Sequence, residues 1–163
     1  MNLCEPMIAE LQHEAATTRR LLERVPQTSL EWQPHEKSMT LGRIAAHIAV
    51  LPRFVIEALT RDELDAGELQ APAADNVAGI LEAFDKNIGD ALELLRKQTG
   101  EGLLNPWRYV SGEKVIFEMP RVAVIRFIAL NHLFHHRGQL SVYLRLLNVP
   151  LPSIYGPTAD EQK

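Results

Sequence analysis

Apolar residues recur with a helical period in four stretches of the chain. The first predicts a helix over Pro6–Arg24, with Ile8, Leu11, Ala15, Thr18 and Leu22 on one face. Pro6 suits a first helical position, where a missing N–H costs nothing, and Pro26 closes the segment. The second predicts a helix over Thr40–Leu59, capped by Thr40 and striped by Leu41, Ile44, Ala45, Ile48, Leu51 and Val55. Pro52 lies inside it and is expected to bend it, because proline removes one backbone hydrogen bond. The third predicts a helix over Asn76–Thr99, with Val77, Ile80, Leu81, Phe84, Ile88, Leu92 and Leu95 along one side. Gly100 fits the left-handed position just beyond it. The fourth predicts a helix over Pro120–Leu147, stopped by Asn148, Val149 and Pro150.

Long connections separate these segments, and loops of such length in a compact domain often carry function. One of them, GLLNPWRYVSGEKVIFEM, contains Ser111-Gly112 between apolar residues, the signal for a short hairpin. The proline-rich tail PLPSIYGPTADEQK reads as extended over the surface. Four amphipathic helices with little strand predict an all-α four-helix bundle with long crossover loops, formed as one domain over residues 1–163.

The fourth helix breaks the hydrophobic pattern in a specific way. Set at about 100° per residue, Val122, Ile125, Ala129, Leu133, Leu140, Tyr143, Leu144 and Leu147 form a continuous stripe with His132 and His136 near its centre. The two histidines are one turn apart, so their rings share a face. Unpartnered buried imidazoles cost roughly 1–3 kcal/mol each, so something must use their nitrogens. The pair is either a core couple bonded to buried carboxylates, hydroxyls or water, or half of a metal site. The glutamate of an H-E-x-x-H motif is absent, since Leu133, Phe134 and His135 fill the interval. A third ligand is therefore sought on another helix. His47, at the edge of the second stripe beside Ile44 and Leu51, is the candidate, and bundle metal sites are built from facing helices in this way. Three histidines would leave a position open for water or substrate, as in catalytic rather than structural sites.

Around this trio, Gln139 falls close to the His132/His136 face and is a candidate to orient a ligating ring. Arg137 lies on the other flank. It is a candidate to hold an anionic group at the mouth, and more simply a surface arginine. His135 sits at the stripe's edge, and His13 and His35 read as surface residues. No carboxylate is marked as a general base, although Glu10, Glu14 and Glu57 lie on helices. Cys4 has no neighbours that would activate a thiolate.

Composition narrows the classes. The 163 residues are 46% hydrophobic with net charge −4, and no basic run or stripe gives the footprint of a nucleic-acid binder. No apolar stretch approaches the roughly 18 residues of a membrane helix. No basic start followed by an apolar block marks a secretion signal, and one cysteine fits a reducing cytoplasm.

The stretches EWQPHEKSMTLGRIAAHI, HLFHHRGQLSVYLRLLNVPLP and IYGPTADE together resemble the DinB/YfiT-like family of metal-dependent enzymes, which is unrelated to the DNA polymerase sharing the name. The resemblance covers nearly the whole chain, and H-x-x-x-H-R-G-Q is its most specific part. It implies a four-helix bundle, often a homodimer, holding a divalent metal on three histidines, which match His47, His132 and His136. His135 matches an extra histidine that is not usually a ligand. The metals implied are zinc or nickel. Relatives include transferases and isomerases that use a low-molecular-weight thiol. The expectation is a metal-dependent transferase or hydrolase acting on a small molecule, in which the metal lowers the pKa of a bound water or thiol. The rival expectation is a non-catalytic bundle stapled by metal, or a small-molecule-binding stress-response protein. Phe127, Leu130, Phe134 and Leu146 lie outside the main stripe, where a partner subunit or a crossover loop would cover them.

Overall fold

In a computed structural model, residues 3–161 are described. The first predicted helix is α1, Cys4–Leu22. The second divides at Pro52 into α2, Leu41–Val50, and α3, Arg53–Thr60. Proline has no N–H to continue the ladder. At the break the Leu51 N–H bonds back to the Ile48 carbonyl, and Asn87 of the next helix donates to the Ala49 carbonyl at 2.8 Å. That next helix is α4, Val77–Arg96, capped by the Asn76 side chain. It ends before Gly100, which does not take up the expected left-handed conformation.

The fourth predicted helix is a composite of α5, Arg121–Ala123, a π-helical stretch Val124–Leu130, and α6, Asn131–Leu146. The wider π turn, marked by the Asn131 N–H bonding to the Arg126 carbonyl, advances less than 100° per residue. A stripe drawn at constant angle therefore misassigns this stretch. Val124 and Leu130 are fully buried in the core although the constant period leaves them out. Helix α6 stops where expected. Asn148 adopts φ 58 and the Val149 N–H reaches the Leu144 carbonyl at 2.9 Å.

The architecture is not purely helical. Three strands, β1 Glu63–Asp65, β2 Pro106–Ser111 and β3 Lys114–Pro120, form one small sheet in the order β1-β2-β3. The β2–β3 pair is the hairpin signalled by Ser111-Gly112, with Gly112 at φ 56 in its two-residue turn. β1 pairs with β2 in parallel. Its three residues, Glu63, Leu64 and Asp65, are too few to show an alternation in the sequence. Asp65 ties the corner by accepting from the Gly67 and Gly112 N–H groups, each at 2.8 Å.

α1, α2 and α3 each pack on α4, and α6 packs on α2 and α1. One core cluster runs through them, with Leu22, Leu41, Ile48, Leu51, Phe84, Leu95, Trp107 and Leu140 at 1% exposure or less. The tail is more than a surface strap. Arg20 donates to the Ser153 carbonyl at 2.8 Å, and Asp160 pairs with Arg145 of α6 at 2.5 Å. Among the described residues, no helix is long and apolar enough to cross a membrane. Leu130 and Phe134 are covered within the chain, Phe134 beneath the guanidinium groups of Arg126 and Arg137, whereas Phe127 and Leu146 are exposed.

Candidate metal centre

Two elements bring three imidazoles to one point. Thr40 caps α2 by accepting the Arg43 N–H, which starts the helix so that His47 falls near its end, facing α6. From α6, His132 and His136 project from successive turns. His132 Nε2 lies 3.3 Å from His47 Nε2 and 2.8 Å from His136 Nε2. The potential ligand atoms of all three lie within 4.8 Å of one another, and among the described residues no cysteine or carboxylate joins the group.

The outer nitrogens decide how the inner ones are loaded. His136 Nδ1 is 2.7 Å from Gln139 Oε1, an oxygen that only accepts, so Nδ1 carries the proton and Nε2 is bare. His132 Nε2 faces both other rings and carries either one proton or one lone pair, so it cannot pair fully with both. A divalent cation could take all three nitrogens at once. Nitrogens bonded to one tetrahedral zinc at 2.0–2.1 Å sit roughly 3.3 Å apart. The His47–His132 pair already has that spacing, and His132–His136 is about 0.5 Å shorter. The donor set therefore fits zinc or nickel, which imidazole suits equally.

Protonation state agrees. Burial lowers the pKa of His47, with His136 adding to the effect. Burial, reinforced by the three neighbouring histidines and opposed by the Ile128 carbonyl, pushes His132 down to about 4. Burial also lowers His136, against the opposing bond to Gln139. All three are neutral near pH 7, the form that binds a metal.

A cleft of about 210 Å³ opens beside His47. One wall is Met39, just before α2, with Arg43 and Ala46 of α2, and the other is the crossover at Ala71, Pro72 and Ala74. The crossover approaches closely because residue 42 is glycine, where a Cβ would lie 2.6 Å from the Ala74 carbonyl oxygen. Gln27 holds the crossover's end, donating to the Asp75 carbonyl at 2.9 Å and accepting the Val77 N–H at 2.8 Å.

The remaining candidates lie elsewhere. Arg137 is neither a surface residue nor free to hold a ligand. The residue is 1% exposed, and its guanidinium pairs with Glu14 of α1 at 2.6 Å, with Thr18 at 3.1 Å and with the Tyr155 hydroxyl. The Tyr155 ring, 4.9 Å from the guanidinium carbon, covers it. Helical period alone placed Arg137 off the stripe, and the covering α1 carboxylate and tail tyrosine lie too far along the chain for any periodicity to pair them. His135 is exposed with its ring 4.9 Å from that of His136. His13 and His35 are exposed. Glu57 is buried but paired with Arg53 and Arg61, and Glu10 pairs with Arg126 at 3.4 Å, so neither serves the histidines. Cys4 is buried, and burial raises its pKa, with Glu5 adding to the effect. Sequence reasoning missed the Arg43 wall of the cleft.

Comparison with known proteins agrees with this reading of the fold. The chain is 27% identical over 150 residues to the uncharacterized protein YrdA of Bacillus subtilis (strain 168), spanning 92% of this chain and 86% of that protein. Its fold is similar to that of a DinB-like protein from Bacillus cereus ATCC 10987, with a TM-score of 0.75 at 23% identity, covering 93% of this chain and 97% of that one. It is also similar to the DinB-like protein YjoA of Bacillus subtilis, with a TM-score of 0.70 at 15% identity, covering 98% and 100%. The family model described as DinB family matches residues 2–163, and the chain belongs to that family.

Proposed function

We propose that the protein is a metal-dependent enzyme whose divalent ion, zinc or nickel, is held by His47, His132 and His136, and that it catalyses transfer to or hydrolysis of a small molecule. The observation that carries the reading is the convergence of three imidazole nitrogens, with His132 Nε2 2.8 Å from His136 Nε2 and 3.3 Å from His47 Nε2. Buried polar groups are ordinarily paired, one nitrogen cannot pair fully with two others, and a cation between them would use all three. A metal bound there would supply Lewis acidity, lowering the pKa of a water or low-molecular-weight thiol in its open position.

The chain's own residues do the rest. The Gln139 oxygen fixes the tautomer of His136 and holds its ring in register. Three protein ligands leave the fourth position to solvent or substrate. The cleft beside His47 gives a small molecule a route to it, and its walls of Ala46, Ala71, Pro72 and Ala74 exclude bulk. No carboxylate lines that cleft, so proton transfer falls to the bound nucleophile and solvent rather than to a side-chain base.

The test is a reaction screen on zinc- and nickel-loaded protein, pairing low-molecular-weight thiols with electrophilic acceptors for S-transfer, and esters and amides for hydrolysis. Turnover that requires the metal and disappears in His136→Ala is the expected result. A fully loaded protein inert in both reaction classes would remove the enzyme reading and leave a metal-stapled bundle.

A further inference from the structure

We infer that Arg43 is the anion-recognition residue of the cleft, and that the molecule it selects is a small carboxylate. The inference rests on the proposed function only for the location of the reacting centre.

Arg43 and His47 are one turn apart on α2 and line the same cleft. Side chains at that spacing leave the helix roughly 5–6 Å apart, so a ligand held by the guanidinium presents its other end to the imidazoles. Almost every arginine in the chain is already engaged. Arg19, Arg24, Arg53, Arg61, Arg108, Arg121, Arg126, Arg137 and Arg145 have carboxylate partners, and Arg20 is bonded to the Ser153 carbonyl. Arg43 and Arg96 are, among the described residues, the arginines whose side chains have neither a hydrogen bond nor an ion pair. Arg43 lines the cleft beside His47. Although the chain's net charge is −4, the cleft carries this cation, apolar walls and no acidic group.

The donors present favour a carboxylate over a phosphate. A phosphate is usually met by several N–H groups, often those at a helix N-terminus. The α2 N-terminus has none to give. The Leu41 N–H is bonded to the Trp32 carbonyl, Gly42 to Leu30, Arg43 to the Thr40 hydroxyl and Ile44 to the Thr40 carbonyl. What remains is one planar fork of N–H donors, which matches the two oxygens of a carboxylate. At about 210 Å³ the cleft is below the usual range for drug-sized ligands, so the carboxylate is a short one.

The experiment is ligand-observed NMR titration of the full chain with butyrate, with uncharged butyramide and with inorganic phosphate. It uses wild type, Arg43→Met and, as a control, Arg96→Met, each with and without zinc. Zinc content is measured on the same samples, so the histidine reading stands or falls separately. Wild type is expected to bind butyrate over butyramide, and Arg43→Met to lose that preference by roughly ten- to a hundredfold, the range for one charge-assisted contact. Arg96→Met is expected to keep it, and zinc content is expected to be the same in all three. Equal butyrate binding by wild type and Arg43→Met, an equal loss in Arg96→Met, or no butyrate binding by wild type would overturn the assignment. Phosphate binding as tight as butyrate would overturn the choice of carboxylate. Arg43 is exposed and only its backbone takes part in the helix cap, so the variant retains the fold, which a thermal melt verifies.

Discussion

Removing the Gln139 amide tests whether the outer hydrogen bond controls the inner ligand. Gln139 is exposed and touches the site through one contact, its oxygen 2.7 Å from His136 Nδ1. Gln139→Leu deletes the acceptor while keeping a good helix former, so the metal-free fold should hold its stability within about 0.5 kcal/mol. Without the acceptor His136 is free to put its proton on Nε2, where it blocks ligation, and its ring is free to turn. Loss of such outer partners typically weakens metal affinity by 10–100-fold, or about 1.4–2.7 kcal/mol. Competition between the protein and a chromophoric chelator for zinc gives the dissociation constant directly. The expected ordering is wild type and Gln139→Glu tight, and Gln139→Leu weaker by at least tenfold, because the glutamate keeps an oxygen acceptor. Equal zinc affinity in wild type and Gln139→Leu would refute the reasoning that this amide sets the tautomer.

Two further outcomes follow from buried charge. Arg137→Met leaves the Glu14 carboxylate without its guanidinium in a site that is 6% exposed, and should cost about 3–5 kcal/mol in urea unfolding. Adding Glu14→Gln should recover part of it, whereas a loss under about 1 kcal/mol for the single variant would mean the pair is not closed to water. For the metal-free protein, the His132 pKa is about 4 in the fold against about 6.5 when unfolded, so the unfolded chain binds more protons between those values. Stability is therefore full above about pH 6.5 and falls as the pH drops toward 4. Urea midpoints across that window should fall more steeply for wild type than for His132→Ala, and parallel slopes would contradict the burial argument.

The legible parts of this protein are those with a local period or a short spacing. Thr40 as a cap, Pro52 as a break, the Ser111-Gly112 turn and the Asn148 stop each act through their own backbone and were readable from a few neighbours. The juxtaposition of His132 and His136 follows from the helical turn, and His47 could be named because its stripe edge had to face some part of the bundle. Long-range pairings were not legible. β1 pairs with a strand more than forty residues away, and Arg137 finds Glu14 and Tyr155 from opposite ends of the chain. The π-helical stretch over Val124–Leu130 was hidden because it keeps helical composition while changing the angular step. That shift matters to the site, since the stretch leads directly into the first turn of α6, which carries His132.

The most direct test is metal content per chain, by elemental analysis of untagged wild type and of His132→Ala after incubation with zinc or nickel. A tag would bring histidines of its own. The account predicts close to one equivalent in wild type and little in the variant, because His132 Nε2 lies between the other two nitrogens at 2.8 and 3.3 Å. Wild type that takes up no metal would contradict it, and the three histidines would then be a hydrogen-bonded core cluster.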